Sequence, residues 1–165
     1  MNRLILFRHG KAEADSESGE DFDRRLAPRG TREAAAMGAS LAAMGVAPDL
    51  ALVSAAARTR DTWAAAAPAF PGAEVRFEDD LYHADSVMAR RLAERAGRDH
   101  GTVMVVGHNP GLHELTVRMM VEAEAPAAAT ARAARDFPTA AVAVFLIDAE
   151  GRPSFESFQV PEREG

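Results

Sequence analysis

Three short runs of the chain are apolar at almost every position, and this feature constrains the possible fold most. They cover residues 3–8, 49–53 and 102–106. A strand that faces solvent on one side alternates apolar and polar residues, whereas an unbroken apolar run is typical of a strand covered on both faces. The three runs therefore predict a central sheet that is buried between two layers of other structure.

Segments with helical periodicity lie between these runs. Ser54 and Asn109 suit the capping positions of two of the predicted helices. The alternation of strands and helices predicts an α/β domain with three layers, in which helices flank a mostly parallel sheet. Helices are predicted over 28–44, 55–67, 85–96 and from Asn109 onward, a weaker strand over 74–77, a hairpin of strands over 141–147 and 155–160, a surface loop over 14–23, and either a helix or a crossing segment over 122–136.

Composition excludes several classes of protein. The length of 165 residues suits one domain over the whole range 1–165. The chain has no cysteine, which excludes disulfides, thiolate metal ligands and cysteine nucleophiles. Acidic residues outnumber basic ones by 25 to 19, and this excess argues against a nucleic-acid partner. No run approaches the roughly 18 apolar residues that cross a bilayer, and the start of the chain is too soon charged for a signal peptide, so we expect a cytoplasmic protein without a membrane partner.

Histidine and arginine directly follow two of the predicted strands. Arg8-His9-Gly10 ends the first run, and Gly107-His108-Asn109-Pro110 follows the run 102–106. The carboxyl ends of parallel strands lie at one edge of a sheet, where open α/β sheets bind their ligands. We therefore expect His9 and His108 to meet there. A neutral imidazole can act as a nucleophile, and the start of the helix after His108 favours an anion.

Two further arginines are predicted to reach the same edge. Arg58 lies in the first turns of the second predicted helix, and the second arginine is either Arg24 or Arg25, which precede the first helix. A guanidinium group binds two oxygens at once, so this set suits a phosphoryl group, whose transfer depends on positioning and charge stabilisation. The alternative is structural: Arg8 pairs with a carboxylate and His9 contacts a helix end. Arg24 and Arg25 are then surface charge.

Together these motifs resemble the histidine phosphatase superfamily, also called the phosphoglycerate mutase-like fold, over nearly the whole chain. The short length and the Gly-His-Asn-Pro-Gly sequence are most similar to the small SixA-type phosphohistidine phosphatases. One departure is Ala27, where the family commonly has threonine before the first helix. The matching positions are Arg8-His9-Gly10, then Arg24, Leu26 and Gly30, then Ser54, Arg58 and Thr62, and finally Gly107-His108-Asn109-Pro110.

The resemblance implies a phosphatase that works in two steps. His9 would attack phosphorus in line and become a phosphohistidine, which water would then hydrolyse. Arg8, Arg58 and His108 would grip the phosphoryl oxygens, and Arg24 would add a further contact. Neither a metal nor a cofactor would be needed, because arginine and imidazolium would supply the positive charge.

Four further residues are candidates at the site. Gly10, Asn109 and Thr139 are expected to contribute to substrate binding. Asp80, after the strand 74–77, is the best carboxylate for a general acid. The alternative is that Asp80 is a surface charge beside Asp79.

The expected substrate is a phosphorylated protein, with phosphate ion as the product. A positioned acid matters most for a poor leaving group such as an alkoxide. A site without a firm acid therefore favours phosphohistidine, whose imidazole departs more easily, and the short segment between Arg58 and Gly107 leaves the site open to a protein. Three alternatives stay open: a broad phosphomonoesterase for small phosphate esters, a non-catalytic phosphate-binding module, and a metal hydrolase.

Overall fold

The structure, a computed structural model, describes residues 1–163. Its order of elements confirms the predicted alternation of strands and helices. Short 3₁₀ turns at Asp21–Asp23, Ala67–Ala69 and Asp79–Leu81 connect the main elements. The strands are β1 (Arg3–Arg8), β2 (Leu50–Ser54), β3 (Glu74–Glu78), β4 (Thr102–Gly107), β5 (Val142–Ile147) and β6 (Pro153–Gln159). The helices are α1 (Pro28–Ala43), α2 (Ala57–Ala66), α3 (Ser86–Ala96), α4 (Gly111–Glu122) and α5 (Ala127–Arg135).

The six strands form one sheet in the order β3-β2-β4-β1-β5-β6. The pairs β2–β3, β2–β4 and β1–β4 are parallel, whereas β5 runs antiparallel to both β1 and β6. The sheet is therefore mostly parallel, with the predicted hairpin at one side. Because β1 lies between β4 and β5, the end of β1 is at the centre of the sheet edge.

The central strands are apolar throughout because both of their faces are covered. Side chains alternate between the faces of a strand. In β1, Leu4 and Leu6 pack into a core with α3, α4 and α5, whereas Ile5 and Phe7 pack into a core with α1 and α2. All four side chains are almost completely buried. The result is a single α/β domain with three layers.

Two predicted helix caps were wrong. Helix α2 begins after Ala56, and Ser54 is the last residue of β2. Helix α4 begins after Pro110, and within the described chain no side chain caps it. Both Ser54 and Asn109 face the sheet edge instead, where each one bonds a different group.

Helix boundaries elsewhere agree well with expectation. Helix α1 begins at Pro28 although Ala27 offers no side-chain cap, because proline is preorganised for the first turn. The segment 122–136, which the sequence left open, contains helix α5. No helix within residues 1–163 is long and apolar enough to cross a membrane.

Candidate active site

The backbone of His9 is fixed between the two neighbours of β1. Its N–H donates to the carbonyl of Gly107 at 3.1 Å, and its carbonyl accepts from the N–H of Ala140 at 2.9 Å. The residue is only 8% exposed. These bonds continue the sheet by one residue beyond β1, so the position of His9 follows from strand pairing.

The ring of His9 has one free nitrogen lone pair. Its Nδ1 lies 2.7 Å from the carbonyl oxygen of Gly10, and because a carbonyl only accepts, Nδ1 carries the proton. Burial, followed by the positive charges of Arg8 and Arg58, lowers the pKa of His9 to about 4. At neutral pH the ring is therefore uncharged, and Nε2 has the lone pair that a nucleophile needs.

Gly10 lies against the start of helix α1. A Cβ atom at this position would lie 2.6 Å from the carbonyl oxygen of Gly30, so any side chain would displace the backbone. The N–H of Gly10 donates to Oγ1 of Thr62 at 3.0 Å, and the Thr62 hydroxyl donates to the carbonyl of Arg58 at 2.7 Å. These contacts tie the end of β1 to helix α2, which carries Arg58.

His108 lies beside His9, as the two strand ends predict. The centres of the two rings are 5.3 Å apart. Nε2 of His108 is 2.8 Å from Oγ of Ser54, while its Nδ1 is buried without a hydrogen-bond partner among residues 1–163. Burial, with the neighbouring His9 and Arg58, lowers the pKa of His108 to about 3. His108 is thus neutral at pH 7, and in the free protein the site's positive charge is on arginines rather than on an imidazolium.

Arg8 and Arg58 each bond protein oxygens with part of the guanidinium group and leave another nitrogen of it available for a ligand. Nη1 of Arg8 donates to the carbonyl of Phe137 at 3.0 Å. Nη1 and Nη2 of Arg58 donate to the carbonyl and carboxylate oxygens of Asp21 at 2.9 and 3.1 Å. In both arginines Nε is buried and has no partner in the described part of the chain. A buried donor without a partner costs about 1–3 kcal/mol, so these donors, together with Nδ1 of His108, indicate an anion-binding site.

Arg24 lies at the exposed side of this cluster. Its Nε donates to Oδ1 of Asp21 at 2.9 Å, and its Nη1 donates to the carbonyl of Glu13 at 2.7 Å. Its positive charge contributes to the lowered pKa of His9. The structure therefore brings Arg24 to the same edge as His9, although not into the buried cluster.

Sequence reasoning missed Asp21, Tyr82 and the role of Ser54. The carboxylate of Asp21 accepts hydrogen bonds from Arg24, from Arg58 and from the hydroxyl of Tyr82. Asp21 lies in a loop with several other acidic residues and no periodicity, so nothing distinguished it. Tyr82 is the only tyrosine of the chain and directly follows the turn after β3. Its position near the end of a strand is the one feature of the sequence that could have indicated a place at the site.

The remaining candidates lie around the cluster. Asn109 donates from Nδ2 to the carbonyl of Phe137 at 2.8 Å, the same oxygen that Arg8 uses. Thr139 precedes the residue that bonds His9, and its Oγ1 accepts from Nη2 of Arg163 at 2.9 Å. Asp80 is exposed on the turn Asp79–Leu81 and makes no hydrogen bond to another side chain in residues 1–163. Its role as an acid stays a prediction, as do the substrate contacts of Asn109 and Thr139.

Potential metal ligands are not clustered in this protein. Within the described residues, no three histidine, aspartate or glutamate side chains are grouped so that they could share a metal ion. The two histidines at the sheet edge are accompanied by arginines instead, and arginine has no lone pair to offer a metal.

Known proteins are similar to this chain in sequence and in structure. An uncharacterized protein of Mycobacterium tuberculosis is 35% identical over 140 residues, which are 85% of this chain and 86% of that one. A solved structure from Agrobacterium tumefaciens, named as a candidate phosphohistidine phosphatase SixA, is 33% identical with a TM-score of 0.82 and covers 97% of this chain and 98% of its own. A SixA protein histidine phosphatase complexed with tungstate has the same fold at 21% identity, a TM-score of 0.76 and a coverage of 96% of this chain and 97% of its own.

The range that the family model matches includes part of the cluster that the geometry brings together. The model of the histidine phosphatase superfamily (branch 1) matches residues 4–86, a range that includes His9, Arg24 and Arg58. His108 lies outside this range, and the strand pairing of β1 with β4 brings it to the cluster. The sequence match, the shared fold and the paired histidines with their arginines together show that the chain belongs to the histidine phosphatase superfamily.

Proposed function

We propose that the protein hydrolyses phosphohistidine on a partner protein, through a phosphorylated His9 and without a metal ion. Membership of the family and the SixA-like relatives support phosphatase activity as such. One observation carries the finer proposal. A buried, neutral histidine with a free Nε2 lies beside three buried nitrogens that have no protein partner among the described residues, namely Nε of Arg8, Nε of Arg58 and Nδ1 of His108.

The first step transfers the phosphoryl group to His9. Nε2 attacks phosphorus, the bond to the leaving group breaks, and its electron pair stays with the leaving group. Arg8 and Arg58 are suited to hold the phosphoryl oxygens through Nε, because Nη1 of Arg8 and both Nη1 and Nη2 of Arg58 already donate to protein oxygens. Donors fixed in a buried site stabilise developing charge without reorganising.

The second step returns the free enzyme. Water attacks phosphorus, the bond to Nε2 of His9 breaks, and phosphate leaves. The hydrogen bond from Nδ1 of His9 to Gly10 supports this cycle, because it keeps the ring in one orientation in both steps. Nδ1 of His108 is suited to donate to a phosphoryl oxygen when Nε2 accepts from Ser54.

The leaving group supports phosphohistidine as substrate. An alkoxide needs a proton from a positioned acid, which contributes roughly 10²–10⁴-fold. The carboxylate of Asp21 bonds Arg24 and Arg58, and the Tyr82 hydroxyl together with these arginines holds its pKa well below the usual range, so it has no proton to give at neutral pH. Asp80 is the remaining candidate for the acid. Phosphohistidine avoids this requirement when its ring is already protonated.

Initial rates on three substrates test the proposal. We expect the highest kcat/KM on a phosphohistidine peptide, with lower values on a phosphoserine peptide and on an aryl phosphate, and no change on addition of a chelator. A quench without acid is expected to trap phosphate on His9. Equal rates on all three substrates would favour a broad phosphomonoesterase, phosphate binding without turnover a binding module, and loss of activity in the chelator a metal hydrolase.

A further inference from the structure

The carboxylate of Asp21 occupies a place among the groups that bind the phosphoryl group in the proposed function. Its Oδ1 accepts from Nε of Arg24 at 2.9 Å, and its Oδ2 accepts from Nη2 of Arg58 at 3.1 Å and from the hydroxyl of Tyr82. Its backbone carbonyl accepts from Nη1 of Arg58 at 2.9 Å. A fixed negative charge is therefore bonded to the same guanidinium group that faces the anion site with Nε.

Aromatic contacts hold this carboxylate in place. Phe22, the next residue, packs edge-on against Tyr82 with ring centres 5.0 Å apart. The ring of Tyr82 in turn lies 5.6 Å from that of His108 and 5.8 Å from the Arg58 guanidinium carbon. Asp21 thus keeps its position through its own turn and through Tyr82, and the negative charge remains close to both His108 and Arg58.

A phosphoryl group that binds Arg58 is repelled by the negative charge of Asp21, which bonds the same guanidinium group. Like charges repel each other, so Asp21 weakens the binding of every phosphate compound to some degree. The penalty is largest for ligands that are wholly anionic, such as inorganic phosphate. It is offset in a substrate that places a positive charge beside phosphorus, because this charge is attracted to the carboxylate.

We propose that Asp21 is a specificity-determining residue, which selects substrates whose leaving group is positively charged and disfavours anionic phosphate esters. This inference rests on the proposed function. In a phosphohistidine with a protonated ring, Nε2 of His9 forms its bond to phosphorus while the bond from phosphorus to the substrate nitrogen breaks. The electron pair goes to that nitrogen, and the ring leaves as neutral imidazole with its proton on the other nitrogen.

The chain offers a matched control for this charge. Asp23 lies in the same 3₁₀ turn, and its Oδ2 accepts from the hydroxyl of Ser18 at 2.7 Å. None of its hydrogen bonds in residues 1–163 is to an arginine side chain. Asp21→Asn and Asp23→Asn each remove one negative charge from the turn, and they differ in whether that charge contacts the arginines.

Two measurements test the proposal, and the first needs no turnover. Calorimetry with inorganic phosphate is expected to show binding at least about tenfold tighter in Asp21→Asn than in the wild type, and a change of less than about twofold in Asp23→Asn. The second measurement is the ratio of kcat/KM for a phosphohistidine peptide to kcat/KM for p-nitrophenyl phosphate. We expect this ratio to fall at least about tenfold in Asp21→Asn and to stay constant in Asp23→Asn.

The outcomes separate this inference from the proposed function. Phosphate binding that is unchanged or weaker in Asp21→Asn would overturn the role of Asp21, even if the wild type hydrolyses phosphohistidine. A ratio that does not change would do the same, since a purely structural role lowers both activities alike. Tighter phosphate binding in Asp21→Asn, with no hydrolysis by the wild type, would support the charge effect of Asp21 and overturn the proposed function alone.

Discussion

The floor and the rim of the site are held in different ways. We define the floor as Arg8, His9, Arg58 and His108, and the rim as Asp21, Arg24 and Tyr82. The side chain of Arg58 is 8% exposed, whereas that of Asp21, its ion-pair partner, is 53% exposed. The floor is buried and is carried by two paired strands and helix α2, whereas the rim is held by side-chain hydrogen bonds at the surface.

This difference determines what each region contributes. Surface ion pairs contribute only about 0–1 kcal/mol each to stability, because water competes with them. Buried hydrogen-bond donors, by contrast, have no water to bond, so they stay oriented toward the ligand that binds there. We therefore expect the floor to determine whether the protein catalyses the reaction, and the rim to determine which substrate it prefers.

Removal of the nucleophile tests the floor most severely. His9→Ala is expected to lower kcat by at least about a thousandfold, because no other group can form the phosphoenzyme. His100→Ala is the matched control, since His100 precedes β4 at the opposite end of the strand from His108. Steady-state rates on an aryl phosphate measure both variants. Residual turnover of His9→Ala within tenfold of the wild type would contradict the assignment.

Arg58 belongs to the floor and bonds Asp21 of the rim. Its substitution therefore tests the contribution of the floor to catalysis. Arg58→Ala is expected to reduce kcat/KM by about 10²–10³-fold, the usual effect of losing one donor to a developing charge. Arg60 is on the same helix, donates to the carbonyl of Ala55 and packs on Phe77. Arg60→Ala is therefore the control and is expected to change kcat/KM less than threefold. Equal losses in both variants would show that the effect lies in helix α2 and not in the site.

Acidification acts on the floor through His9. Its pKa is lowered to about 4, so kcat/KM on an aryl phosphate is expected to stay level as pH falls toward 5 and to drop about tenfold per pH unit below 4. The unfolded chain binds a proton at its ordinary pKa near 6.5, above that of the folded state. The free energy of unfolding should therefore also fall as pH decreases from about 6.5 to 4. A loss of activity centred near pH 6.5 would contradict the buried, neutral His9.

Asp80 lies beyond the rim and gives the smallest expected effect. Asp80→Asn is expected to change kcat/KM on a phosphohistidine peptide less than about threefold, since this leaving group needs no positioned acid. A larger loss on an alkyl phosphate would identify Asp80 as the acid for that substrate. Large and equal losses on both substrates would contradict the selectivity argument.

The floor was accessible to sequence reasoning because it depends on local rules. His9 and His108 each follow an apolar run, and parallel strands place their carboxyl ends side by side. Arg58 is the second residue of helix α2, which begins shortly after the end of β2, so the same rule brings it to that edge. The resemblance to the histidine phosphatase superfamily then indicated that these residues act together in phosphoryl transfer.

The rim and the protonation states were decided only by the tertiary structure. Asp21 and Tyr82 are 61 residues apart, and Ser54 and His108 are 54 apart. Contacts over such distances depend on the path of a polar loop, which has no periodic pattern to predict it, and on the order of strands in the sheet. The low pKa values of the two histidines arise from burial, which is a property of the packed chain and not of the residues themselves.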